Sequence, residues 1–544
     1  MAVYTIGIDF GTLSGRAVLV NTQNGEIVAQ AKCDYAHGVM DEKLPSGKKL
    51  PHEWALQDAK DYLDVLEGTI PRLLSASGVS TQDVAGIGID FTSCTLVACK
   101  ADGTPLSVIY PDAPHAYVKL WKHHAAQAQA DRINQLTQQR GEAWLARYGG
   151  TVSSEWLLPK ALQMLEEAPD LYDETDFFIE AADWIVWQLT GRLVRSAGTC
   201  GYKALWNKRD GYPDADFLAS LDPRLSDFVQ TKLVGDVLPI GSLAGRLQGD
   251  MAQKLGLCEG IAVAVGNIDA HVTVPAAGIT GVGKLLAIVG TSTCHMITSE
   301  REHLVPGICG VVADGILPDL FGYEAGQCCV GDHFAWLVDH MVPQHYFDEA
   351  KAMHMDIHAY LTHLADQLSV GQSGLLALDW WNGNRSILVD ADLSGMILGM
   401  TLRTRVEEIY RALIEATAYG TRIIVENFRA HGVTIDEVIA TGGIAKKNPM
   451  MMQIYADVLN LPIRIAETDQ SGALGSAIFG AVAAGVHKDV YTAVAHMVKP
   501  SVTTYSPIQE NVERYELLYQ EYKTLHDYFG KDGNAVMHRL KQLR

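Results

Sequence analysis

Three short apolar strands, far apart in the chain, each run straight into a turn of small residues. Ile6-Gly7-Ile8-Asp9-Phe10 ends at Gly11-Thr12, the run to Val289 ends at Gly290-Thr291-Ser292, and Glu437-Val438-Ile439-Ala440 ends at Thr441-Gly442-Gly443. β-Branched residues favour a strand, and glycine marks where it must turn. Small residues let backbone N–H groups approach a phosphate, and a nearby carboxylate such as Asp9 can hold the Mg2+ that comes with it. Turns of this kind spread along one chain predict a single nucleotide held between two lobes.

The chain has the length for that. Its 544 residues are 48% hydrophobic and 20% charged, an ordinary globular composition with room for two large domains. A formal net charge of −21 with no basic arm makes nucleic acid and anionic membrane poor partners. Local glycine turns, a lysine and Mg2+ can still hold a phosphate against that field. Nine cysteines without a C-x-x-C spacing argue against a disulfide framework or structural zinc, and Cys328-Cys329 reads as packing. Asp9 interrupts the N-terminal apolar run, no basic region precedes it, and Gly472 to Val486 is too short to span a bilayer. The expected location is cytoplasmic and reducing.

Strands are expected at 3–10, 15–20, 26–35, 84–90, 261–266 and 285–290. Helices are expected at 57–77, over most of 116–148, and at 157–168, 181–190, 405–430, 448–460 and 472–484. Ile87-Gly88-Ile89-Asp90-Phe91 repeats the first strand letter for letter. Two buried strands with the same alternation, or a shared role at a site, would each produce that echo. Small residues at 472, 473, 475, 476 and 477 suit a helix packed very close to a neighbour, for its own sake or to shape a site. The expected division is a first lobe over 1–270, a second over 271–500 and a helical extension over 501–544.

Gly278 to Lys284 nearly spells a P-loop, but Leu285 stands where a Mg2+-binding Ser or Thr is required, and the glycines precede a strand. Asp269, just past an apolar strand, suits either a general base at a cleft edge or a helix N-cap. Lys203 and Glu324 are charges among aromatic and small residues; they either pair structurally or face a polar ligand. His123, His124 and His271 lack metal-ligand spacing.

These residues together resemble the FGGY carbohydrate kinases, from Asp9 to about Ala484. Ser394-Gly395-Met396-Ile397-Leu398-Gly399-Met400, then Glu408-Ile409-Tyr410-Arg411-Ala412-Leu413-Ile414-Glu415, is similar to the family's C-terminal signature, from which Leu413 departs. Asp183 to Gly191 resembles its Asp-aromatic helix ending in Leu-Thr-Gly, and Thr441-Gly442-Gly443 with Lys446-Lys447-Asn448-Pro449 resembles its adenosine segment. The resemblance implies an α/β, two-lobed actin/hexokinase-like (ribonuclease H-like) fold with a central nucleotide/sugar cleft. It implies ATP and Mg2+, with Asp9 organising the metal through water. Gly11 and Thr12, and Gly290, Thr291 and Ser292, would hold phosphates; Gly442 and Gly443 would pass the nucleotide, with Asn448 near adenine. Asp269 would be the general base.

Within that family, Leu120-Trp121-Lys122-His123-His124-Ala125, Tyr202-Lys203, Asp269-Ala270-His271 and Glu324-Ala325-Gly326-Gln327 are most similar to members that act on L-ribulose. His123 and Ala125 depart even from that form, so the first of these segments carries no assigned role. The likeness implies that Lys203, Asp269 and Glu324 touch the sugar and that Phe91 and Cys94 line its pocket. The expected reaction moves the γ-phosphate of ATP to O5 of L-ribulose, as in L-arabinose catabolism. D-Ribulose or ribitol is the alternative sugar, and an actin-like ATPase without sugar the alternative of another class. A homodimer is compatible with this reading.

Overall fold

The echoed segments lie side by side. In the computed structural model, which describes residues 3–531 and 533–543, the strands Tyr4–Phe10 and Val84–Phe91 pair in parallel, with Ile6 opposite Ile87, Gly7 opposite Gly88 and Asp9 opposite Asp90. Met1 and Ala2 of the expected first lobe, and Asp532 and Arg544 of the expected extension, lie outside the described residues. The first explanation of the echo, two buried strands of like alternation, is observed. The isoleucines are buried, and the two aspartates stand together at the carboxyl ends of their strands.

Tyr4–Phe10 also pairs antiparallel with Ser14–Asn21, and that strand with Ile27–Asp34; beyond Val84–Phe91 lie Ala262–Ala264 and Leu243–Arg246. The second lobe repeats the plan. Gly283–Val289 pairs antiparallel with Thr293–Ser299, which pairs antiparallel with Phe321–Gln327, while its other edge pairs in parallel with Ile435–Thr441. Gly11-Thr12 and Gly290-Thr291-Ser292 therefore occupy equivalent places, each closing the first hairpin of its sheet. In both turns the glycine N–H donates 3.0 Å to a carbonyl across the hairpin, Ser14 in one and Ser292 in the other.

The joint between the lobes is the small-residue helix Ser471–Ala483. It lies against Tyr4–Phe10, Val84–Phe91 and the helix Asp269–Ala276 so closely that backbone meets backbone. A Cβ on Gly88 would sit 1.8 Å from the Ser476 carbonyl oxygen, and one on Gly475 2.0 Å from that of Val272. Glycine is required there because any side chain would push the helix off the sheet. The apolar cluster around this helix draws Val18 and Val20 from the first sheet and Leu286, Met296 and Ile439 from the second.

Most expected helices appear within one or two residues: Ala59–Ser77, Leu157–Glu167, Val406–Ala430, Pro449–Leu459 and Ser471–Ala483. Ala181–Thr190 stops at Gly191, whose φ of 66° closes the helix. The expectation that 116–148 is mostly helical holds from 127 onward and fails before it. The described structure has a two-residue strand at Val118–Lys119, irregular chain to 126, a helix Gln127–Arg140 and a 3-10 turn Ala143–Tyr148. Lys160, fully buried, holds that irregular stretch: its Nζ donates to the carbonyls of Leu120 at 2.8 Å, Lys119 at 3.4 Å and Cys94 at 2.6 Å. The segment 501–530 is built into the second lobe: Thr504–Tyr505 joins its sheet, and Gln509–Gly530 packs on Val406–Ala430.

No helix among the described residues is long and apolar enough to cross a membrane, and all nine cysteines are free thiols.

The close joint makes a direct prediction. Gly88→Ala should cost about 1–3 kcal/mol or more, as overpacking against immovable backbone does, lowering the denaturation midpoint; a midpoint equal to wild type would contradict this packing.

Candidate active site

Lys203 and Glu324 reach each other from different lobes. Lys203 ends the helix Ala197–Lys203, whose start is held by Ser196 Oγ accepting from Gly198 N at 3.2 Å and by Thr199 Oγ1 donating to Asp183 at 2.8 Å. Gly201 lets this helix approach the second lobe, since a Cβ there would meet Val312 at 2.3 Å. Glu324 sits in Phe321–Gln327, paired on both sides by Thr293–Ser299 and Gly310–Ala313. Lys203 Nζ donates to both Glu324 oxygens, at 3.1 and 3.3 Å.

Two more basic groups complete the cluster. His271 Nε2 lies 3.3 Å from Glu324 Oε2, and Arg385 Nη2 donates to Oε1 at 3.1 Å. Lys203 and His271 are buried, whereas the Arg385 side chain keeps 34% of its surface open. Burial alone would raise the Glu324 carboxyl, but Lys203, the His271 hydrogen bond and Arg385 outweigh it and hold the group well below the ordinary range. Burial alone would likewise depress Lys203; the Glu324 carboxylate outweighs it and holds the ammonium above its usual value. The two groups are an ion pair in a water-poor setting. Of the two readings open to the sequence, structural pairing is thus observed.

Asp269 follows directly on Asn267–Ile268, which pairs with Asp90 and Phe91 at the carboxyl end of Val84–Phe91. Ligands of α/β sheets gather at that edge. Asp269 is the first residue of its helix rather than the N-cap, which is Ile268 without a side-chain bond. Its Oδ1 accepts only the N–H of adjacent Ala270, at 2.7 Å. Burial, then the negative charge of Asp9, push its carboxyl up to about 7, against the Ala270 bond and Lys203. A carboxylate at that level, still touched by solvent, is suited to accept a proton near neutral pH.

Asp9 keeps partial exposure while Asp90 beside it has none. Ser476 Oγ, from the joint helix, donates to Asp90 Oδ2 at 2.6 Å. Burial raises both carboxyls; the second largest cause is the Asp9 charge for Asp90, which drives it further up, and the Asp90 hydrogen bond for Asp9, which opposes the rise. One accessible carboxylate fits Mg2+, which takes most of its ligands from water and phosphates. Among the described residues no group of three or more His, Cys, Asp or Glu could cage a metal unaided.

The expected nucleotide turns differ in room: a Cβ on Gly443 would meet nothing within 4 Å and one on Gly290 only Ser292 O at 3.7 Å, while one on Gly11 would sit 3.3 Å from Ser14 O. Gly442, at φ 99°, lies against the Val289 carbonyl, 2.3 Å from where its Cβ would be, which sets the third turn against the second. Thr12 Oγ1 accepts from Trp121 Nε1 at 3.1 Å, so the segment without an assigned role touches the first turn. His123 in that segment is buried and bonded to Gln163 at 2.9 Å. Asn448 caps the helix Pro449–Leu459 through Met451 N at 3.0 Å, and its amide nitrogen reaches Thr362 at 3.3 Å.

Phe91 and Cys94, both expected at the pocket, part ways. The Phe91 ring stacks on Phe10 with centroids 4.4 Å apart, inside the first core, which leaves its pocket role without support. Cys94 does stay close enough to Lys203 for the two to influence each other, and burial pushes its thiol up to about 12. Sequence reasoning passed over Arg385, and gave His271, Asp90 and Trp121 no specific contact. Arg385 carried the same signal that marked Lys203, a charge among Trp, Gly and Asn residues.

Family models match nearly the whole chain. The N-terminal domain of the FGGY family of carbohydrate kinases matches residues 4–275 and its C-terminal domain residues 285–484. The ribulokinase of Bacillus licheniformis is 58% identical, over 98% of this chain and 98% of the relative. That of Halalkalibacterium halodurans is 54% identical, over 99% and 97%. Among solved structures, a xylulose kinase from Rhodospirillum rubrum superposes with a TM-score of 0.79 at 22% identity, over 99% of this chain and 100% of that one. A glycerol kinase from Plasmodium falciparum with ADP gives 0.76 at 15% identity, over 97% and 98%. The two-lobed α/β fold is thus shared.

The ion pair has a measurable weight. Glu324→Gln leaves Lys203 buried without a counter-charge, which should cost about 3–5 kcal/mol of stability and lower the thermal midpoint; an unmoved midpoint would contradict the pairing.

Proposed function

Because the chain belongs to the FGGY family of carbohydrate kinases, and so transfers phosphate from ATP to a sugar hydroxyl, we propose that its substrate is L-ribulose and its product L-ribulose 5-phosphate. The observation that carries this reading is the Lys203–Glu324 pair closed across two lobes beside Asp269. The relatives named ribulokinase, identical at more than half of their positions, support the sugar.

Asp269 accepts the proton of O5 as that oxygen bonds to the γ-phosphorus. The bond from phosphorus to the bridging oxygen breaks and ADP leaves. Lys203 and Glu324 hold neighbouring sugar hydroxyls, one as donor and the other as acceptor, with Cys94 at the wall. Gly11 and Thr12 bind phosphate from the first lobe and Gly290, Thr291 and Ser292 from the second. Gly442 and Gly443 let the nucleotide pass close to the backbone toward Asn448. Asp9 would hold Mg2+ through water, and the ion supplies charge neutralisation on the phosphates. Most of the rate enhancement on this account is positioning and electrostatics. The division at residue 270, a cytoplasmic location and a homodimer belong to the same reading; free thiols throughout support the location.

The test is ADP release with Mg-ATP and a panel of L-ribulose, D-ribulose, ribitol, D-xylulose and glycerol. L-Ribulose should stimulate it most; a leading D-ribulose or ribitol would replace the substrate. Asp269→Asn should lower kcat by about 10²–10⁴ with ATP binding kept, and near-normal turnover would remove Asp269 from the base role. Since the base works deprotonated and its carboxyl is raised to about 7, kcat/KM should fall as pH drops below that value and level off above it. A profile flat down to pH 5 would contradict the assignment.

A further inference from the structure

We propose that Arg385 is a sugar-binding residue that donates to the carbonyl oxygen of the ketose and thereby sets a preference for ketoses over polyols. The inference rests on the sugar-kinase reading above and deepens it.

Arg385 is the open member of the cluster. Lys203 gives two of its three N–H donors to Glu324, and His271 is fully enclosed. The guanidinium has five N–H donors in a planar fork. One, on Nη2, goes to Glu324 Oε1, and a third of the side chain stays exposed. Besides Glu324, the groups that act on its charge are Cys309, Glu155 and Cys294, and its side chain also meets the Cys309 thiol, a weak acceptor. Among the described residues Glu324 is the carboxylate it hydrogen-bonds, which leaves donors for a ligand.

The segment that carries Arg385 is held to the strand that carries Glu324 at two points. Gly326 N donates to Ser386 Oγ at 3.2 Å, and Gln327 Nε2 donates to Asp379 Oδ2 at 2.9 Å. Tyr522 of the C-terminal helix locks Asp379 from the other side, at 2.7 Å. A charged group presented by a braced loop suits a ligand of fixed shape.

Placement along the cluster supplies the direction. His271, two residues after Asp269 on the same helix, meets Glu324 at Oε2, whereas Arg385 meets it at Oε1. The helix that begins at Asp269 and the Arg385 guanidinium thus approach Glu324 through different oxygens. A five-carbon ketose with its reacting hydroxyl at Asp269 extends past Glu324 and brings its carbonyl end to Arg385. Hydroxyls can serve either the carboxylates or the cations, but a carbonyl oxygen only accepts, and Arg385 offers only donors. A polyol of the same length has no acceptor-only atom there.

The experiment compares wild type, Arg385→Gln and Arg385→Lys on L-ribulose and on ribitol and L-arabinitol, the polyols measured as substrates or as competitive inhibitors. Thermal midpoints are recorded in parallel. The expected result is a KM for L-ribulose raised by about 10–100-fold in Arg385→Gln, the scale of one hydrogen bond to a charged group. The polyol constants and kcat should change less than about threefold, with Arg385→Lys intermediate. Equal losses for ketose and polyol, or a loss tracking the fall in thermal midpoint, would overturn the proposal and leave Arg385 as a support of Glu324. Unchanged constants for both sugars would also overturn it. Wild-type enzyme that responds to no ketopentose would defeat the sugar reading itself, a failure visible before any variant is compared.

Discussion

The buried pair of Lys203 and Glu324 ties the molecule's chemistry to its architecture. Each charge would be costly to bury alone, and each belongs to a different lobe. The first lobe can keep Lys203 inside only while the second presents Glu324, and the reverse. His271 and Arg385 supply the remaining partners of the carboxylate. A site that requires both lobes follows from electrostatics before any ligand is considered.

Everything around the pair serves to hold it in place. Two sheets of the same plan put their first hairpins, and with them two glycine turns far apart in the chain, in equivalent positions. The joint helix Ser471–Ala483 has small residues because it must lie on both the paired strands and the helix that begins at Asp269. That contact delivers Ser476 to Asp90, and Asp90 stands beside Asp9. Packing in the joint and the setting of the paired aspartates are thus the same set of contacts seen from two ends.

Much of this was legible in the chain. The letter-for-letter echo foretold two like strands, and the run of small residues foretold a close helix. Lys203 and Glu324 stood out because a charge in apolar surroundings needs a partner. That each is the other's partner was hidden, because they are 121 positions apart and local patterns do not report distant contacts. Of the mostly helical segment expected over 116–148, residues 118–126 are strand and irregular chain, with the carbonyls of Lys119 and Leu120 held by a distant lysine, Lys160. The strands Thr293–Ser299 and Phe321–Gln327 left little apolar alternation, since Thr293, His295, Glu324 and Gln327 are buried polar residues with tertiary roles. Phe91 looked like a pocket residue by its place after the echo; in-register pairing instead stacks it on Phe10. Arg385 was missed although its setting in Asn382-Gly383-Asn384 matched the criterion that found Lys203.

The central claim is that the cluster orients one ketose in one direction, its terminal hydroxyl at Asp269 and its carbonyl end beyond Glu324. The most direct measurement is phosphorus–proton correlation by NMR on the product formed from L-ribulose and Mg-ATP. Coupling of the new phosphate to the C5 protons is the predicted result. Coupling to the C1 protons would mean that the sugar lies the other way round, and inorganic phosphate as the sole product would mean that the cluster does not hold a sugar for transfer at all.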